Sequence, residues 1–114
     1  MPRHELALSG YKYMWLFAMF DLPVTEPELR KEYAQFRKHL LKNGFAMLQY
    51  SVYAHFVTDE SSEEVYRRRV FEALPSHGQV RLLSVTDRQF GKMEVYVGKK
   101  RKKVEDPPLQ LMLF

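Results

Sequence analysis

Seven apolar residues run without a break from Met14 to Phe20 (MWLFAMF) and stop on Asp21, Leu22 and Pro23. No other stretch narrows the fold as much. Apolar side chains on both parities of an extended segment demand cover on two faces, so the pattern predicts a central, doubly buried strand. Pro23 cannot donate to a ladder and ends it. The run is far shorter than the roughly 20 residues that cross a bilayer, so no membrane role is expected. Asp21 falls at the strand's carboxyl end, where an aspartate serves as turn-former, as cap for the following loop or as metal ligand. On residue type alone the turn reading leads.

Two helices follow the same logic of caps and periodicity. In TEPELRKEYAQFRKHLLKNG, Thr25 and Glu28 form a capping-box pattern and Pro27 suits the first turn. Leu29, Tyr33, Phe36 and Leu40 make one apolar face, and Asn43-Gly44 is a left-handed stop. In SSEEVYRRRVFEALP, Ser61 and Glu64 offer a cap, Tyr66, Val70, Ala73 and Leu74 an inner face, and Arg67, Arg68 and Arg69 a solvated one. Between the helices, Phe45–Val57 would span ~43 Å as one strand. Two strands with a tight joint at Gln49-Tyr50-Ser51 are expected instead. QVRLLSVTD reads as a strand ending near Asp87, and Met93–Gly98 as another.

The resulting order is β-α-β-β-α-β with an added strand. It predicts an α+β, ferredoxin-like domain with two helices on one face of an antiparallel sheet. With 114 residues, one domain is expected over residues 11–98, preceded by an extension at 1–10 with no assigned function. Residues 99–114 read as a basic linker and an apolar docking tail.

Charge singles out that last part. Lys99, Lys100, Arg101, Lys102 and Lys103 hold 5 of the 18 basic residues, and without them 13 basic residues face 14 acidic ones. A concentrated patch on a near-neutral body is what a polyanion feels, although a solvated basic segment has the same composition. Beyond it, Pro107-Pro108 reads as a stiff spacer before Leu109, Leu111, Met112, Leu113 and Phe114. An apolar end of this kind suits addition to the sheet edge of a second copy or another protein, with packing back on its own domain as the alternative.

The chain has no cysteine, which excludes thiolate metal sites and fits a reducing cytoplasm. His4, His39, His55 and His77 lack the spacing of zinc ligands, and no phosphate-binding glycine loop or nucleophile elbow is present.

These features meet in one pattern. An apolar first strand ends in Asp-Leu-Pro, GFAMLQYSVY (Gly44–Tyr53) follows the first helix, and VTDRQFGKMEVYVG leads into a basic, proline-containing end. The ordered set, from Tyr11 to Phe114, resembles the small CRISPR adaptation proteins of the Cas2 family, particularly members that accompany type II systems. The resemblance implies a ferredoxin-like homodimer that exchanges its last strands. It implies a complex with the CRISPR integrase, with this protein as central scaffold on double-stranded DNA. It also implies that two copies of Asp21 face each other across the two-fold axis, where some members are described as Mg²⁺-dependent nucleases acting on RNA or duplex DNA. Many members carry Tyr before this aspartate. Here Phe20 has no hydroxyl to handle a proton. Ser51 matches a family serine for which a structural role is expected.

Two functions follow as expectations. In the first, a spacer-acquisition scaffold binds the DNA backbone through Lys99–Lys103, with Arg30, Lys31, Arg67, Arg68, Arg81, Arg88 and Lys92 as weaker candidates. Leu109, Leu111, Leu113 and Phe114 dock a partner. In the second, an endonuclease uses Asp21 as catalytic residue and metal ligand, with one Mg²⁺ per dimer. A generic ferredoxin-like binding module is a third reading, but it explains neither the basic run nor the apolar end.

Overall fold

In the computed structural model, which describes residues 13–108, the chain runs β1 (Met14–Asp21), α1 (Pro27–Lys42), β2 (Ala46–Gln49), β3 (Val52–Val57), α2 (Glu60–Glu72), β4 (Gln79–Thr86), α3 (Asp87–Gly91), β5 (Val95–Val97) and β6 (Lys100–Lys102). Four strands form one antiparallel sheet in the order β2-β3-β1-β4, and β5 and β6 form a separate two-stranded hairpin. The first six elements give the expected ferredoxin-like arrangement, with α3 and the hairpin added after it. No helix among the described residues is long and apolar enough to cross a membrane.

β1 is the doubly buried strand its sequence predicts. Leu16, Ala18 and Phe20 point to the helical side and pack with Phe36 and Leu40 of α1, Val70 of α2 and Tyr53 of β3. Trp15 and Phe17 point to the opposite side and pack with Ala54 and Phe90. Side chains alternate along a strand, so the unbroken apolar run supplies both cores at once. Each large side chain buried there contributes roughly 1.5–3 kcal/mol.

The second face is covered in part by α3 and by the segment that follows the hairpin. The strand expected to end near Asp87 stops at Thr86, and Asp87 opens α3. It is a short helix capped by Thr86, whose hydroxyl accepts from the Gln89 N–H at 3.0 Å while the Gln89 side chain accepts from the Thr86 N–H at 2.8 Å. The helix is held to the sheet by Trp15. The indole stacks on Phe90 with centroids 3.9 Å apart, and its Nε1–H donates to the Asp87 carboxylate at 2.7 Å. Asp87 is 2% exposed, so this charge-assisted bond answers part of a large desolvation cost. Beyond the hairpin, Val104 returns to pack against the same cluster. Pro107, read as part of a spacer, has its side chain fully buried.

Other local expectations shift by a few residues. The N-cap of α1 is Glu26 rather than Thr25, without a side-chain bond. That of α2 is Asp59 rather than Ser61, and it accepts from the Ser62 N–H at 2.8 Å. Leu74, expected on the inner face of α2, is exposed. The β2–β3 joint falls at Tyr50-Ser51 as expected, with Ser51 in the left-handed region at φ 62°.

At the end of α1, Gly44 has φ +87°, and a Cβ there would meet the His55 ring at 2.8 Å. His55 Nδ1 lies 2.9 Å from the Gly44 carbonyl, with the Tyr66 ring 4.1 Å away. Burial holds this imidazole below its ordinary 6.5, the Gly44 hydrogen bond opposing and Arg69 reinforcing the shift. A depressed folded value means stability that is present above the unfolded value and lost as pH falls from about 6.5 through the folded value. Thermal melts of wild type and His55→Gln between pH 7.5 and 5 should therefore show a smaller acid-induced loss of Tm in the variant.

Candidate nucleic-acid interface

Asp21 is the exposed last residue of β1 and pairs with Gln79 of β4. It shares strand parity with Phe17 and Met19, the side away from α1 and α2. Its neighbour Phe20 points the other way, into the rings of Tyr33, Phe36 and Tyr53. A tyrosine in place of Phe20 would carry its hydroxyl on the face opposite the carboxylate. The strand end is braced from two sides. The Phe20 N–H donates to the Ser51 carbonyl at 3.1 Å, giving Ser51 a structural role. The loop before β4 closes against Asp21 through Gly78, at φ +88°, where a Cβ would lie 2.6 Å from the Asp21 carbonyl oxygen. Glu32 of α1 fixes that loop by accepting the Ser76 N–H at 2.8 Å and facing His77 Nδ1 at 3.2 Å.

Magnesium is held by one or two carboxylates together with waters and phosphates. No group of three or more His, Cys, Asp or Glu side chains that would hold a metal gathers among the described residues. Among the described residues Asp21 therefore belongs to no three-ligand cluster of one chain.

The basic run takes a shape its composition does not announce. Lys100–Lys102 are strand β6, in register with Val95–Val97, and Gly98, at φ +63°, turns the hairpin. Lys99–Lys103 are all exposed, and Lys103 Nζ also reaches the Asp106 carboxylate at 3.2 Å. Arg88 belongs to α3 and Lys92 caps its end, both exposed and a few residues before the hairpin. Arg30 and Lys31 are exposed on α1, in the helical layer on the other side of the sheet, and Arg30 Nη1 donates to the Val24 carbonyl at 3.2 Å. The named cations therefore divide between the α3–hairpin region and α1. Arg67, a weaker candidate, is engaged by Glu63 at 3.0 Å and Ser84 at 2.8 Å, tying α2 to β4.

An aromatic pair that no local sequence pattern announces links α1 to the β2–β3 turn. Tyr50, at the tip of the β2–β3 turn and 73% exposed, stacks on Tyr33 of α1 with centroids 6.2 Å apart. Burial, with the Tyr50 hydrogen bond, raises the Tyr33 phenol above its ordinary value.

The sheet face away from α1 and α2 is only partly covered. A cavity of about 390 Å³ remains there, lined by Phe17, Met19, Val52, Leu83, Val85 and Met93 among others. Leu83 is 48% exposed. The docking residues named from sequence, Leu109, Leu111, Leu113 and Phe114, lie outside the described residues. Chemically, the arrangement offers five exposed cations on or beside a hairpin, an apolar sheet face and one carboxylate at a strand end.

Comparison with known proteins adds to this geometry. The family model described as CRISPR associated protein Cas2 matches residues 14–93, from β1 through α3 to just short of the hairpin. A protein named CRISPR-associated endoribonuclease Cas2 from Parvibaculum lavamentivorans is 50% identical over 101 residues, covering 89% of this chain and all of the relative. A protein of the same name from Flavobacterium psychrophilum is 40% identical over 111 residues, 97% of this chain and 96% of the relative. One from Ligilactobacillus salivarius is 44% identical over 93 residues, 82% and 92% respectively.

The brace on Asp21 generates a direct prediction. Gly78→Ala places a Cβ against the Asp21 carbonyl in a left-handed backbone, costing about 1–2 kcal/mol for the conformation alone. Urea unfolding should show at least that loss, with the Asp21 and Leu22 amide resonances displaced.

Proposed function

This chain belongs to the CRISPR associated protein Cas2 family, and from that premise we propose that it works as a homodimeric scaffold in spacer acquisition. The dimer binds the backbone of a double-stranded DNA fragment and bridges subunits of the CRISPR integrase. The observation that carries this reading is the hairpin, which concentrates Lys99–Lys103 on one exposed element. Lysine and arginine contacts to phosphate release counterions and read no sequence, which suits a protein that accepts fragments of any origin. Arg88 and Lys92 extend the same surface, and Arg30 and Lys31 supply a second one on α1.

Homodimerisation is supported by what one copy leaves uncovered. An isolated two-stranded hairpin is marginal in water. Its edges, the outer edge of β4 and the apolar surface around Leu83 all gain from a second copy. Exchange of the last strands between copies would meet these needs together.

The name endoribonuclease carried by the relatives favours a second reading, phosphodiester hydrolysis at Asp21. Asp21 alone falls short of a metal site, but a two-fold axis beside it would double the carboxylates. The pair, with substrate phosphate and water, would then suit one Mg²⁺, whose role is to polarise the phosphate. Close carboxylates without a cation repel, so the pair and the metal are interdependent.

Reconstitution separates the readings. With purified integrase and a duplex fragment, integration should require this protein and should survive Asp21→Ala. Integration that proceeds equally well in its absence would overturn the scaffold. The nuclease reading expects Mg²⁺-dependent cleavage of RNA or duplex DNA that falls at least 100-fold in Asp21→Ala, and equal cleavage by both proteins would dismiss it.

A further inference from the structure

Tyr50 stands at the tip of the β2–β3 turn with 73% of its surface exposed, and yet its ring is held in place. One face lies on Tyr33 of α1, the two planes 22° apart. Tyr33 is itself backed by Phe20, with centroids 5.9 Å apart. The turn beneath is fixed where the Phe20 N–H meets the Ser51 carbonyl, and Ser51 holds a left-handed backbone at φ 62°. A chain of ring contacts thus runs from the core to the surface and ends on an open aromatic face.

Cations flank that face. Residues three and four apart are neighbours on a helix, so Arg30 and Arg37 sit one turn before and one turn after Tyr33. They occupy the flank of α1 turned toward the β2–β3 side. The opposite flank is taken up by Glu32, which holds the loop before β4, and by His39, whose Nε2 lies 2.9 Å from the Arg69 carbonyl of α2. Both arginines are exposed, and among the described residues neither has a carboxylate partner. They lie roughly 10 Å apart along the helix axis, within reach of the phosphates on either side of one nucleotide.

We infer that Tyr50 and Tyr33 form a stacking site for an unpaired nucleobase, with Arg30 and Arg37 holding the phosphates that flank it. An aromatic face accepts any base, and the neighbouring cations answer the charge of the strand. The occupant is single-stranded. In a duplex each base face is covered by the next base pair, and a ring fixed outside the helix cannot reach it. An apolar protein segment would leave both arginine charges unanswered. Stacking and phosphate contact are common to RNA and DNA, so the sugar is left to the experiment. The site is separate from the hairpin cations, and the Asp21 side chain lies on the other side of the sheet. It therefore depends on neither the scaffold nor hydrolysis.

The test uses full-length protein in EDTA, which prevents metal-dependent cleavage. It is titrated into short oligothymidylate and oligouridylate strands that carry a central 2-aminopurine, a base whose fluorescence falls when it stacks. Wild type should bind and quench. Tyr50→Ala should bind about tenfold more weakly, without quenching, for at least one of the two strands. Tyr50→Phe, which keeps the ring, should behave as wild type. Arg37→Gln should lower the slope of log affinity against log salt by roughly 0.7, the share of one single-strand phosphate contact. Blunt duplex should bind wild type and Tyr50→Ala equally. A loss confined to one strand supports the site and assigns its sugar. Undiminished single-strand affinity in Tyr50→Ala, an equal loss in Tyr50→Phe, or the same loss for duplex as for single strands would each overturn the inference.

Discussion

Everything in this small protein depends on the need to cover β1 twice. One face is met by the two amphipathic helices, whose Phe36, Leu40 and Val70 close on Leu16, Ala18 and Phe20. The other face carries Trp15 and Phe17, and among the described residues no long helix covers it. It is closed in part by α3, pinned by the Trp15–Asp87 bond, and by the returning Val104–Pro107 segment. Among the described residues, these short parts leave open the apolar cavity around Phe17, Leu83 and Met93 and the outer edge of β4. A 114-residue chain has little material for a second layer, which is the physical cause of the incomplete cover.

The same constraint explains which parts of the fold were readable. An unbroken apolar run has one extended solution, Asn43-Gly44 carries stop chemistry that survives into the structure, and the joint at Tyr50-Ser51 follows from the length a single strand would need rather than from turn chemistry. Caps were misplaced because Thr25 and Glu26, or Asp59 and Ser61, compete within one turn, and only the tertiary path decides between them. α3 was missed because five residues are too few for a helical period, although Thr86 and Gln89 already stood at capping-box spacing. The strand character of Lys100–Lys102 was hidden because a run of charges has no alternation to read.

The site divides in the same way. That Asp21 ends the first strand was legible, since Pro23 limits how far the strand can run. Its setting was not: the Gly78 brace and the opposite orientation of Phe20 arise from pairing with distant β4 and α1. The charge run was legible as a patch, while its division from Arg30 and Lys31 by the sheet was not. Weighed together, five exposed cations on one hairpin outweigh one carboxylate per chain, which is why binding rather than hydrolysis leads the functional account.

That account reduces to whether the hairpin cations bind nucleic-acid backbone. The most direct measurement is duplex affinity as a function of salt, for the wild type and for a variant with Lys99, Lys100, Arg101, Lys102 and Lys103 replaced by Gln. Each phosphate contact adds roughly 0.9 to the slope of log affinity against log salt. The account predicts a slope reduced by several units, with similar loss for unrelated sequences. An unchanged slope, with affinity intact, would contradict it.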